Sequence, residues 1–211
     1  MPFGNASLLF SNDMAFVLAG GKSSRMPFDK QTIIIDGKPI AVHIADKLSA
    51  VFNEVRIISN TESLYTDCRY TVIPDEVDGC GPLGGLYTAL CNTTGEYAYV
   101  TGCDMPFVNI NYLQYMKEQL LKAESPPDCI LTTTNGFPEP LNSFYHKRLK
   151  DFIPPILSLG KRRMSDLYEG RNMIYVPENV LKTFDPEYRM FFNLNTMEDY
   201  AWYLSSLANG S

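Results

Sequence analysis

The stretch "LAGGKSSRMPFDK", residues 18 to 30, sets two adjacent glycines and three cations, Lys22, Arg25 and Lys30, directly after an apolar run. Gly20 and Gly21 permit dihedrals and a closeness of approach that a Cβ forbids, so successive backbone N–H donors can face an anion. The three cations add full positive charge. Such a loop is suited to holding a chain of phosphates. It is not a Walker A loop, which would place glycine where Phe16 stands, nor a dinucleotide fingerprint, because only the first glycine pair is present. By itself the segment also reads as a solvated turn with surface lysines.

Two further segments carry the same kind of chemistry. In "TGCDMPFV", residues 101 to 108, Asp104 ends an apolar run and is followed by Met105 and Pro106. A carboxylate at such an end suits Mg2+, a hard cation that takes one or two protein oxygens together with phosphates and water. A lone Asp before a turn is otherwise a cap or turn former; the cationic loop at a neighbouring strand end favours the metal role. "GCGPLGGL", residues 79 to 86, clusters Gly79, Gly81, Gly84 and Gly85 around Pro82. These glycines would let backbone approach a flat base or a ribose, although a tight strand-to-helix turn accounts for much of the pattern. Ser59 and Asn60, at the end of another apolar run, offer hydroxyl and amide hydrogen bonds to a base edge, and Asn is also common in turns.

These segments need elements to position them. Short β-rich runs at 14 to 19, 54 to 59, 69 to 74 and 96 to 102 alternate with helical patterns at 39 to 52, 83 to 92 and 109 to 123. Repeated strand, helix, strand predicts a parallel sheet with right-handed crossovers. Helix 39 to 52 places Ile40, Ile44, Leu48 and Val51 on one face, with Asp46 and Lys47 turned away. The second half is less regular. It predicts strands at 129 to 134, 141 to 146 and 172 to 177, helical segments at 147 to 158 and 161 to 168, and a final helix capped by Thr196 with Asp199 at N3. The expected fold is α/β: a Rossmann-like, doubly wound, mostly parallel sheet with helices on both faces. Ligands of such sheets bind beyond the carboxyl ends of the strands, where all the segments above fall.

With 211 residues, 45% apolar and 20% charged, the chain has the composition of a soluble globular protein. Residues 14 to 211 read as one nucleotide-handling domain, and residues 1 to 13 as a loose extension. A net charge of −6 argues against a broad nucleic-acid footprint. No segment has the length of a membrane span, and the first residues lack a secretory pattern. Five cysteines without a CxxC pair suggest reduced thiols in the cytoplasm.

"LAGGKSSRMPFDK", "DGKPI" at 36 to 40, "GPLGGL" at 81 to 86, "TGCDMPFV" and "FFNLNTMEDY" at 191 to 200 together resemble the molybdenum cofactor guanylyltransferases (MobA), from about residue 14 to 204. The glycine-rich loop alone is shared across the nucleotidyltransferase superfamily, of nucleotide-diphospho-sugar transferase type. "NLNT" and "PEPLNSFY" at 138 to 145 are more specific to this branch. The resemblance implies transfer of GMP from GTP to the terminal phosphate of molybdopterin or Mo-molybdopterin, with Mg2+ as cofactor. It implies molybdoenzyme chaperones and other cofactor-biosynthesis proteins as partners, and neither nucleic acid nor membrane. It places Leu18, Ala19, Gly20 and Gly21 against the nucleotide, Arg25 and Lys30 on its phosphates, and Asp104 on the metal. Ser59 or Asn60, Asp75, Gly81, Leu83 and Gly84 fall at base and ribose contacts; Asn193 and Asn195 fall on the far side, toward the pterin or a metal-bound water.

One departure is Pro27, where the family usually has glycine; it removes an N–H donor and fixes φ. Three other features read as structural or open. His43 and His146 read as structural, and Cys103 as packing. Lys161, Arg162 and Arg163 are either a pterin-phosphate contact or a solvated helix start. The rival activities are cytidylyl or other Mg-dependent nucleotidyl transfer, and non-catalytic nucleotide binding by an adaptor.

Overall fold

The computed structural model describes residues 12–20 and 29–208. The strands are β1 (Met14–Leu18), β2 (Ile34–Ile35), β3 (Lys38–Pro39), β4 (Glu54–Ile58), β5 (Thr71–Ile73), β6 (Tyr97–Gly102), β7 (Cys129–Thr134), β8 (Phe137–His146) and β9 (Met173–Val176). The α-helices are α1 (Ile40–Leu48), α2 (Gly81–Asn92), α3 (Ile110–Lys122), α4 (Ile153–Ser158), α5 (Glu178–Phe184) and α6 (Met197–Ala208). Seven strands form the main sheet in the order β5-β4-β1-β6-β8-β7-β9, and β2 and β3 form a separate hairpin. β1 runs parallel to both β4 and β6, and β8 runs antiparallel to β6 and β7. The chain winds from β1 out to β5, then returns to place β6 on the other side of β1. That reversal opens a crevice beyond the carboxyl ends of β1 and β6.

Every residue of β1 is buried, as a central parallel strand covered on both faces requires. Ala15 and Val17 face a core with Ile40, Ile44 and Leu48 of α1 and Tyr112, Leu113 and Met116 of α3. Phe16 and Leu18 face the opposite core, with Leu83, Leu86 and Leu90 of α2. The expected mostly parallel, doubly wound sheet is therefore present, with helices on both faces.

Several local expectations change. The first helix stops at Leu48, where Ser49 caps it. Lys47 is not turned away: its Nζ donates to the Pro106 carbonyl at 3.0 Å and lies 3.4 Å from the Tyr203 hydroxyl, because α6 covers that flank. The segment expected as helix 147 to 158 divides into a 3-10 stretch, Lys147–Phe152, and α4. Pro154 and Pro155 are accommodated only in the first turn of α4, where no N–H is needed. Between 161 and 168 there is a single 3-10 turn, Met164–Leu167. β8 begins four residues before the expected strand, behind an Asn135–Gly136 turn whose residues both have positive φ, the arrangement that suits a two-residue hairpin loop. α5 and the β2–β3 hairpin were not anticipated. Thr196 does cap α6: its Oγ1 accepts from the Asp199 N–H at 3.1 Å, and the Asp199 carboxylate accepts from the Thr196 N–H at 2.8 Å. Among the described residues no helix is long and apolar enough to cross a membrane, and all five cysteines are free thiols.

Asn142 joins the strands beneath the crevice. It is buried and left-handed, with φ 56°. Its Oδ1 accepts from the Tyr99 hydroxyl at 2.8 Å and the Thr101 hydroxyl at 2.6 Å, and its Nδ2 donates to the Met190 carbonyl. Asn142→Ala would leave those groups buried without partners, at about 1–3 kcal/mol each. A total loss of about 3 kcal/mol corresponds to a Tm drop of roughly 6–12 °C for a chain of this size. Thermal unfolding monitored by circular dichroism checks this, and an unchanged Tm would show that the network contributes nothing.

Candidate active site

The crevice is assembled from strand ends. The Ala19 N–H donates to the Ile58 carbonyl, and the Cys103 N–H to the Leu18 carbonyl, each at 2.9 Å, which carries the sheet ladder one residue beyond β1 on both sides. Leu18 packs close to α2; a Cβ at Gly85 would lie 3.0 Å from both Leu18 methyls, so glycine there lets the helix approach the strand. Ala19 is buried, while Gly20 is exposed at the mouth. Gly21, Arg25 and Pro27 lie outside the described residues.

Lys30 stands in a 3-10 turn, Lys30–Thr32, capped by the Asp29 carboxylate. Its Nζ donates to Asp104 Oδ2 at 2.9 Å and to Asn195 Oδ1 at 2.7 Å. Three residues drawn from the loop after β1, the end of β6 and the segment before α6 thus meet at one point. The last segment is held by its backbone, since the Leu194 N–H donates to the Asp104 carbonyl at 2.8 Å. Asn195 is also fixed on its own side, where its N–H donates to the Asp199 carboxylate at 2.9 Å. Asn193 is not part of this junction: its Nδ2 donates to the Phe191 carbonyl.

A second group lies around β4 and β5. Asn60 Oδ1 accepts from the Asp75 N–H at 2.8 Å, and its Nδ2 donates to Asp78 Oδ1 at 3.0 Å and to Asp75 Oδ2 at 3.4 Å. A Cβ at Gly20 would stand 3.2 Å from Asp75 Oδ2, so Gly20 and this carboxylate are neighbours. Burial, reinforced by the charge of Asp78, pushes the Asp75 carboxyl above the usual carboxylate range. Ser59 is placed differently from a base reader: it is buried, its hydroxyl donates to Gln31 Oε1 at 2.5 Å and accepts from the Thr61 N–H at 3.0 Å.

The glycine-rich turn before α2 is largely explained by packing. Gly81 has φ 60°, Leu83 is a core residue, and a Cβ at Gly84 would sit 2.7 Å from the Cys80 Cβ. Leu83 and Gly84 are buried, and the Gly84 N–H donates to the Cys80 carbonyl at 3.3 Å, so of the three positions only Gly81 is exposed. Cys103 is buried and its thiol is pushed up chiefly by burial, as a packing residue should be. His43 lies 3.0 Å from the Tyr203 hydroxyl, and His146 Nδ1 accepts from the Arg148 N–H at 3.1 Å; burial lowers both imidazoles. Arg162 donates to the Leu157 and Lys161 carbonyls at the end of α4, while the Arg163 N–H bonds Asp166.

Among the described residues there is no group of three or more His, Cys, Asp or Glu that would hold a metal alone. Asp104 fits a different mode, one carboxylate completed by ligand phosphates. Gly102 makes room for that carboxylate: a Cβ there would fall 2.6 Å from Asp104 Oδ1. Sequence reasoning overlooked Gln31 and Asn142; the signal for Gln31 was a polar residue following Lys30 and preceding "TIII", a run that reads as core.

Residues 15–174 match the family described as MobA-like NTP transferase domain. A probable molybdenum cofactor guanylyltransferase of Peptoclostridium acidaminophilum is 38% identical over 192 residues, 90% of this chain and 87% of that protein. A molybdenum cofactor guanylyltransferase of Syntrophotalea carbinolica is 37% identical, over 88% of each chain. Among solved structures, molybdopterin-guanine dinucleotide biosynthesis protein A of Archaeoglobus fulgidus superposes with a TM-score of 0.80 at 26% identity, covering 93% of this chain and 99% of that one. Similarity of this extent, on a shared fold, makes the chain a member of the MobA-like NTP transferases and, within them, of the molybdenum cofactor guanylyltransferase family.

Proposed function

We propose that the chain moves GMP from GTP to the terminal phosphate of molybdopterin or Mo-molybdopterin, giving molybdopterin guanine dinucleotide and pyrophosphate. The observation that carries this reading is the junction of Lys30, Asp104 and Asn195 in the crevice between β1 and β6. It is supported by the relatives named for that activity. In the reaction an acceptor phosphate oxygen bonds to the α-phosphorus of GTP while the bond to the β-phosphate breaks and pyrophosphate leaves. A phosphate monoester is largely ionised near neutral pH, so its attack requires no general base. What the protein must supply is position and compensating charge.

Lys30 does this directly: its ammonium shifts from Asp104 and Asn195 to the entering phosphates. Gly20, exposed at the mouth behind Leu18 and Ala19, offers backbone to the nucleotide, with Gly21 and Arg25 assigned to the same loop. Asp104 is the residue that would hold Mg2+, and the bound ion supplies further stabilisation of phosphate charge. Asn60 and Asp75 face the base and ribose end, where guanine N–H and ribose O–H groups need acceptors. Asn195, with Asn193 beyond it, lies on the acceptor side. Delivery to molybdoenzyme chaperones and a cytoplasmic setting belong to the same proposal.

Pyrophosphate release measured with GTP, CTP or ATP, molybdopterin and Mg2+ should show a clear preference for GTP. A preference for CTP would replace the guanylyl reading with a cytidylyl one, and the absence of release with any nucleotide would favour the adaptor. A lost unit charge about 4 Å from a phosphate amounts to roughly 4 kcal/mol at an effective dielectric of about 20, so Lys30→Met should lower kcat/KM by about a thousandfold. Asp104→Asn should abolish Mg-dependent transfer while the circular dichroism spectrum is unchanged; full activity in either variant removes that residue from the site.

The Asp75 carboxyl is raised, so its ionised, accepting form is lost on milder acidification than that of an ordinary Asp. The acid limb of kcat/KM for GTP should accordingly lie above the usual carboxylate range. Asp78→Asn removes the smaller of the two causes and should move the limb part of the way to lower pH. A limb that stays in place, or moves upward, would remove Asp75 from nucleotide recognition.

A further inference from the structure

Gln31 is buried, 5% exposed, immediately after the cation of the candidate phosphate site. A buried amide in that position must have partners, and those it has connect two separate parts of the chain. Its Oε1 accepts from the Ser59 hydroxyl at 2.5 Å and from the Tyr65 hydroxyl at 3.3 Å. Its Nε2 donates to Asp29 Oδ2 at 3.1 Å, and its backbone N–H donates to Asp29 Oδ1 at 3.1 Å. On the far side, the Ser59 hydroxyl accepts from the Thr61 N–H at 3.0 Å. One amide therefore ties the 3-10 turn that bears Lys30 to the turn after β4 that bears Asn60.

We propose that Gln31 is a positioning residue: it holds Lys30, at the phosphate end of the nucleotide site, and Asn60, at the base end, in a fixed relation. The assignment rests on the reading of Lys30 as the phosphate clamp. Lysine has a long, flexible stem, so where its ammonium can reach depends on where its backbone is anchored. Asp29 fixes the 3-10 turn locally, while Gln31 and its partners register that turn against the end of β4. With the anchor in place, Lys30 spans to both Asp104 and Asn195. Without it, the same ammonium remains present but misplaced, and displacements of about 1 Å at a reacting centre cost on the order of a hundredfold. The Ser59–Thr61 bond closes the same arrangement around Asn60, which explains why the Ser59 hydroxyl is turned into the protein and not toward a base.

Isothermal titration of pyrophosphate, GTP and GMP into the full chain tests this with Gln31→Met, which preserves volume and removes the amide. Binding of pyrophosphate and GTP should weaken by about tenfold or more and that of GMP by less than about threefold. The double variant Gln31→Met/Lys30→Met should bind pyrophosphate no more weakly than Lys30→Met alone, because the two losses act through the same ammonium. Equal weakening of all three ligands, or additive losses in the double variant, would overturn the proposal and make Gln31 a purely structural residue. Ser59→Ala approaches the bond from its other end and keeps the test open if Gln31→Met does not fold. It should weaken pyrophosphate to the same degree, with GMP weakened by no more than that because Thr61 also loses its acceptor, and a selective loss of GMP would overturn the assignment. CTP and CMP are titrated in parallel: a wild-type preference for CTP sinks the guanylyl reading but leaves the pyrophosphate comparison intact. Equal pyrophosphate affinity in the wild type and Lys30→Met overturns the proposal itself.

Discussion

An ammonium held 2.9 Å from a carboxylate and 2.7 Å from an amide oxygen, at a half-sheltered strand end, is the contact on which the rest of this site depends. Lys30 and Asp104 are 74 residues apart in the chain, and Lys30 and Asn195 are 165 apart. Each charge offsets part of the cost of sheltering the other. In the proposed reaction an entering polyphosphate would offer Lys30 better acceptors and leave Asp104 to hold the accompanying cation. A small number of groups can therefore serve both the empty and the filled site.

The sheet exists, functionally, to bring those three residues together. Its reversal between β1 and β6 puts the glycine loop and Asp104 at adjacent strand ends. The antiparallel β8 then lies next to β6, and Asn142, with its left-handed backbone, is buried there. From there it bonds Tyr99 and Thr101 of β6 and the Met190 carbonyl, so the segment leading to Asn195 is fastened to the strand that leads to Asp104. Polar groups buried in this way are stabilising only when every one of them is satisfied, which makes the network rigid as well as costly to break. The aromatic contacts of Phe107 with Phe192, Trp202 and Tyr203 hold α6 from the other side.

The two halves of the proposed nucleotide site differ in character. The phosphate end is a charge junction with few alternatives. The proposed base end is a web of Asn60, Asp75 and Asp78, in which burial first and the charge of Asp78 second raise the Asp75 carboxyl. Gln31 lies between them as a neutral linker, suited to that place because an amide can both donate and accept without adding to either charge.

Much of this was legible in the residues alone. Apolar runs alternating with amphipathic helices specify a doubly wound sheet because burial on one face or two leaves a periodic trace, and glycine, lysine and aspartate after strand ends point together to the proposed phosphate crevice, although each alone also suits a turn. The capping pair of Thr196 and Asp199 was equally readable, being a local interaction between residues three apart. What tertiary structure alone decided was long-range partnership. That Lys47 is covered by α6, that Ser59 bonds inward to Gln31, that Leu83 belongs to the core and that Asn142 anchors the floor of the site all depend on which segments are packed together. Periodicity records how far a side chain is buried, but a hydrogen bond between residues distant in sequence leaves no period, so those partners emerge only when the sheet brings them into contact.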